Sequence, residues 1–128
     1  MSQSIFLLED HAFYANVIIP KLRKQGYLVT HCLNYKCAEE VMSSGQKFDF
    51  ALLDVVLTNG KTGIHFAEKY GNRFNKILFV TGCRDIQTIE TLLNKNWNSV
   101  SKQYEIWSDL RDFLTSDKEM HISLEEAC

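Results

Sequence analysis

The sequence predicts a doubly wound α/β fold, a five-stranded parallel sheet with helices on both faces. Three observations predict it. Apolar runs of strand length at residues 4–8, 48–54 and 76–81 lack the in–out alternation of a half-exposed strand, and a strand that is apolar on both sides is buried on both sides. Strand-like and helix-like segments alternate five times along the chain, as repeated βαβ units do. No repeat, low-complexity segment or Pro/Gly/Ser linker interrupts that alternation.

The first strand, residues 4–8, ends in the acidic pair Glu9-Asp10. Over residues 11–25, Tyr14, Val17, Ile18 and Leu22 fall at helical spacing and Gly26 offers a C-terminal stop. Pro20 lies inside this helix and is expected to kink it or end it early, because proline removes one backbone donor and clashes with the preceding turn. Residues 27–32 read as the second strand. A helix over residues 35–44 follows, with Asn34 as N-cap, Ala38, Val41 and Met42 inward and Gly45 closing it.

The third strand, residues 48–54, is the centre of the design, an apolar run ending in Asp54 and followed by the turn-rich segment 58–63. A short helix over residues 63–70 carries Ile64, Phe66 and Ala67. The fourth strand, 76–81, ends in Thr81-Gly82, and the next helix is expected over residues 85–94. A weak fifth strand, 99–101, leads to Lys102, and Ile106, Trp107, Leu110, Phe113 and Leu114 make the inward stripe of a last helix. Right-handed crossovers leave few topologies for such a chain, and the flavodoxin-like order 2-1-3-4-5 is the expected one.

Length allows one domain. At 128 residues the chain can bury roughly two-thirds of the surface its unfolded form exposes. The expected unit is 1–128, with an ordered core over about 4–115 and a polar tail, 116–128, that extends the last helix or frays. A net charge of −2 with mixed signs gives no electrostatic footprint for nucleic acid or an anionic membrane, so the expected partners are proteins or small anions. The N-terminus has no basic region, and no apolar run approaches the ~18 residues of a membrane span, so a cytoplasmic location is expected. Cys32, Cys37, Cys83 and Cys128 lack paired metal-ligand spacing and are given no role, alone or with His31.

Four of the five strands deliver polar groups to one edge of the sheet: Glu9 and Asp10, Asp54, Thr81, and Lys102. Three carboxylates in one pocket repel and favour a divalent cation, and Mg²⁺, a hard ion content with one or two carboxylates plus phosphate oxygens, suits them. A lysine and a hydroxyl opposite complete a cradle for a tetrahedral anion. The chemistry this arrangement serves is phosphoryl transfer onto the Asp54 carboxylate.

These residues also carry a resemblance. Glu9-Asp10, Asp54, Thr81-Gly82 and Lys102, with Gly26 and Gly63, resemble the pattern of receiver domains of the two-component response regulators over about residues 4–115. The resemblance implies a phosphorelay switch rather than a turnover enzyme, in which a histidine kinase or phosphotransfer protein phosphorylates Asp54. It also implies that Asp10, Asp54 and the backbone carbonyl of Val56 ligate Mg²⁺, with Glu9 acting largely through water. Thr81, Gly82 and Lys102 would hold the phosphoryl group, and an output protein or a second copy of the chain would read the state.

The chain departs from the pattern in places. Gln103 stands where receivers usually have a proline after the lysine, so a trans bond is expected there, since a cis non-proline bond costs ~3 kcal/mol. Ser99 replaces the switching aromatic and Thr58 a common proline, and the loop to Gly63 is one residue longer. Val56 and Cys83 occupy variable positions near the acceptor. Val56 offers no hydrogen bond to an attacking water, so a long-lived phospho-form is expected; a lifetime of seconds, unchanged in Val56→Asn, contradicts it. Trp97, Tyr104 and Trp107 fall on the face that receivers use for output and dimer contacts.

Three rival readings carry less. A degenerate receiver, acting as an unphosphorylated interaction module, is disfavoured because every key side chain is retained. A haloacid-dehalogenase-type phosphatase needs a second Asp two residues after the first, where this chain has Val56. A flavin carrier would have Glu9-Asp10 repelling the flavin phosphate.

Overall fold

Residues 2–55, 57, 62–81, 98–101 and 114–115 are described by the structure, a computed structural model. Strands β1 (Ser4–Leu8), β2 (Leu28–Cys32), β3 (Phe48–Asp54), β4 (Phe74–Thr81) and β5 (Asn98–Ser101) form one sheet in the order β2-β1-β3-β4-β5. All four pairings are parallel. Helices α1 (Ala12–Lys24), α2 (Tyr35–Ser43) and α3 (Gly63–Tyr70) are the crossovers among the described residues, with a 3-10 turn at Gly71–Arg73 after α3.

Alternation of side chains along each strand sorts the core into two layers. On one face Phe6, Leu8, Ala51, Leu53 and Phe79 pack with Tyr35, Ala38 and Met42 of α2 and with Phe66 and Ala67 of α3. On the other, Ile5, Leu7, Phe50, Leu52, Leu78 and Val80 pack with Ile18 and Leu22 of α1 and with Leu114. The continuous apolar runs therefore have the expected cause, a sheet covered on both sides.

α1 departs from expectation twice. Of the two outcomes expected at Pro20, the early end does not occur: the helix runs on to Lys24, about a turn beyond the proline. Pro20 and Asn16, the residue whose carbonyl loses its donor, are both exposed, so the lost bond lies on the side open to solvent while Ile18 and Leu22 anchor the helix on either side. Val17, expected inward, is 39% exposed, and the buried stripe is instead Ala15, Ile18 and Leu22 at i, i+3 and i+7.

The remaining boundaries follow from local chemistry. Gly26 and Gly45 adopt left-handed φ of 96° and 80° where α1 and α2 end. Asn34 caps α2, its Oδ1 accepting from the Cys37 N–H at 2.8 Å. β4 starts two residues before the expected 76–81 because Phe74 is buried and registers with Phe48 of β3. At the amino edge Asp49 ties strands together: its carboxylate accepts from the Ser4 N–H at 2.8 Å and from Asn75 Nδ2 at 3.4 Å. The expected helix over 85–94, the last helix apart from Leu114 and Thr115, and the tail 116–128 lie outside the described residues.

Candidate cation and phosphoryl site

The opposite, carboxyl edge is acidic. Glu9 follows β1 directly and is 1% exposed, and Asp54 closes β3 at 5% exposure. Asp10 is half-buried. One carboxylate oxygen from each of the three lies within 4.8 Å of the others. Strand register accounts for the meeting: Leu8 pairs with Leu53, so the next step along the two strands sets Glu9 beside Asp54.

A buried carboxylate needs hydrogen-bond donors, and its backbone needs partners too. Glu9 Oε2 accepts from the His11 N–H at 3.0 Å, at the N-cap of α1. The Glu9 N–H donates to the Cys32 carbonyl at 3.1 Å, and the Glu9 carbonyl accepts from His31 Nε2 at 2.9 Å. The end of β2 thus grips the residue that opens the site.

Behind Asp54, Val55 and Leu57 are buried, and the Gly63 N–H donates to the Val55 carbonyl at 3.0 Å. A β-carbon on Gly63 would lie inside the van der Waals shell of the Asp54 carbonyl oxygen, so only glycine lets the first turn of α3 come this close to β3. Thr62 Oγ1 accepts from the His65 N–H at 3.0 Å and caps that turn.

Thr81 ends β4 one residue beyond Val80, the register partner of Asp54, and it pairs with Ser101, the last residue of β5. The backbone therefore brings Glu9, Asp10, Asp54 and Thr81 to one edge, with Lys102 next in the chain after Ser101. Val56, Gly82 and Lys102 lie outside the described residues, as do Thr58, Cys83, Trp97, Gln103, Tyr104 and Trp107. The sequence reading missed the part played by His31 and Cys32. Their partners are backbone groups of Glu9, which leave no mark in residue type; only the β1–β2 register signals them.

Among the described residues the donor set is three carboxylates, two of them buried, and it fits a hard divalent cation such as Mg²⁺. Soft-metal ligation by Cys32 does not fit. Burial, reinforced by the neighbouring Cys37, pushes the Cys32 thiol up to about 12, and Cys32 is not among the three residues whose ligand atoms converge at this edge.

A scan of protein-family models finds no match, and neither does a search of curated proteins. Solved structures do match. A response regulator receiver domain protein (CheY-like) from Methanospirillum hungatei superposes with a TM-score of 0.75 at 20% identity, over 89% of this chain and 92% of that one. The response regulator TrrA from Thermotoga maritima, in complex with Mg²⁺–BeF, gives 0.72 at 19% identity, over 88% and 96%. A response regulator from Burkholderia pseudomallei, with a phosphorylated aspartic acid, calcium ion and citrate, gives 0.72 at 20% identity, over 97% and 79%. Likeness of this depth at such low identity lies in the fold, and the fold of this chain is that of the response-regulator receiver domain.

Proposed function

We propose that the chain, taken as one unit over residues 1–128, is a phospho-accepting receiver domain that works as a signalling switch in a phosphorelay. The observation that carries this reading is the convergence of Glu9, Asp10 and Asp54 at the carboxyl edge, with Asp54 buried at the end of the central strand. The Thermotoga neighbour in complex with Mg²⁺–BeF and the Burkholderia neighbour with a phosphorylated aspartic acid support it by analogy.

In this reading a carboxylate oxygen of Asp54 attacks the phosphorus of a phosphohistidine on a histidine kinase or phosphotransfer protein. The new O–P bond forms as the N–P bond breaks, and the histidine nitrogen leaves with the electron pair and takes up a proton. Glu9, Asp10, Asp54 and the Val56 carbonyl would hold Mg²⁺. When bound, the ion supplies positive charge beside the transferring oxygens. The Thr81 hydroxyl, the Gly82 backbone and the Lys102 ammonium would hold the acyl phosphate, and the burial of Asp54 keeps water from it. Turnover is limited to slow self-dephosphorylation. The phosphorylated state would be read by protein contact, with an output protein or a second copy, rather than by nucleic acid. No helix among the described residues is long and apolar enough to cross a membrane.

Intact mass after incubation with acetyl phosphate tests the proposal. One phosphoryl adduct is expected that requires Mg²⁺ and is lost in Asp54→Ala. No adduct, or an adduct that persists in Asp54→Ala, would favour the unphosphorylated interaction module.

A further inference from the structure

We infer that His31 is a positioning residue for the cation site, acting through the peptide that joins Glu9 to Asp10; this rests on the cation reading given above. His31 pairs with Leu7 in the β1–β2 register, and its ring extends past the end of β1 to the Glu9 carbonyl, 2.9 Å from Nε2. A carbonyl oxygen has only lone pairs to offer, so Nε2 carries the proton and donates. With its lone pair committed in this way, Nε2 is no metal ligand.

The bond matters because of what the carbonyl is attached to. The Glu9 carbonyl and the Asp10 nitrogen belong to one planar peptide unit. Fixing that carbonyl fixes the plane, and with it the direction in which the Asp10 backbone, and so its carboxylate, leaves the strand. The neighbouring peptide on the other side of Glu9 is held by its N–H, which donates to the Cys32 carbonyl at 3.1 Å. The Glu9 side chain is tied separately, through Oε2 to the His11 N–H at 3.0 Å. These three contacts act on the backbone and side chain from which the two carboxylates project. His31 supplies the one that comes from a side chain of another element, and a substitution can remove it without touching an acid.

Groups that orient the ligands of a metal commonly change its affinity by 10–100-fold when removed. Mg²⁺ titration of the full chain by calorimetry reads the effect. His31→Leu, which keeps bulk and loses the donor, is expected to bind Mg²⁺ about tenfold more weakly than the wild type. His31→Gln, whose amide N–H sits near the place of Nε2, is expected to stay close to the wild-type value, and His31→Asn, one methylene shorter and unable to reach, to behave as the leucine variant does. Should His31→Leu fail to fold, the Gln and Asn variants carry the same comparison. In metal-free protein the Glu9 carbonyl ¹³C resonance is expected to move upfield in the Leu and Asn variants and to hold in Gln. A wild type that binds Mg²⁺ together with Leu and Asn variants that bind it equally well overturns the role of His31 alone, as does an equal loss in all three variants. A wild type that takes no Mg²⁺ overturns the cation reading and this inference with it, while the carbonyl resonance still tells whether the His31 contact exists.

Discussion

Phe66→Ala is expected to lower the unfolding free energy by about 3–5 kcal/mol, read from the shift in urea midpoint at constant slope. Phe66 is fully buried in α3 and stands at the centre of an aromatic cluster. Its ring stacks on Phe6 of β1 at 5.5 Å, meets Tyr35 of α2 edge-on at 5.8 Å, and lies 6.2 Å from Phe74 of β4 and 5.0 Å from Tyr70. Removing it empties the junction of two helices and two strands, and the sheet behind is too rigid to collapse into the gap. Val17→Ala is the control. With the side chain 39% exposed on α1, it is expected to change stability by no more than about 0.5 kcal/mol. A Phe66→Ala loss as small as that would mean that α3 is held mainly by its capped N-terminus and not by this cluster.

β1, β3 and β4 were legible because burial on both faces writes itself into the chain as an apolar run, and the parallel order follows from the helices that must connect such strands. Helix ends were legible where one residue type does one job, as at Asn34, Gly26 and Gly45. That α1 does not end early at Pro20 has a different source. Local propensity argues against proline in a helix, but the packing of Ile18 and Leu22 outweighs one lost hydrogen bond on the wet side. Val17 misled because aliphatic spacing fits more than one helical stripe, and which stripe is buried depends on the sheet beneath. At the site, Glu9, Asp10 and Asp54 could be read from strand ends alone, since register does the rest. The hold on Glu9 could not, because its partners are a peptide N–H and a carbonyl.

Asp54→Asn is expected to make the metal-free protein more stable than the wild type, and Mg²⁺ is expected to reverse the order. Glu9 and Asp54 are both buried, with carboxylate oxygens no more than 4.8 Å apart. Two such charges repel by roughly 3 kcal/mol at an effective dielectric constant of about 20, and the half-buried Asp10 adds to this. Part of that repulsion is already offset by donors such as the His11 N–H, so a gain of about 1 kcal/mol on neutralising Asp54 is a reasonable expectation. In the proposed cation site the same substitution removes a hard anionic ligand. On that reading, magnesium at a hundred times its dissociation constant would stabilise the wild type by about 2.7 kcal/mol, and the variant would gain much less because it would bind the ion more weakly. Thermal unfolding of both proteins, in chelator and in excess Mg²⁺, is therefore expected to give two melting temperatures that cross. Calcium, which also takes carboxylate oxygens, is expected to act in the same direction, whereas an equal ionic strength of sodium chloride is not. Parallel shifts without a crossing would mean that the acids are neutralised by groups of the protein itself, and a cation would then have no part in holding this edge together.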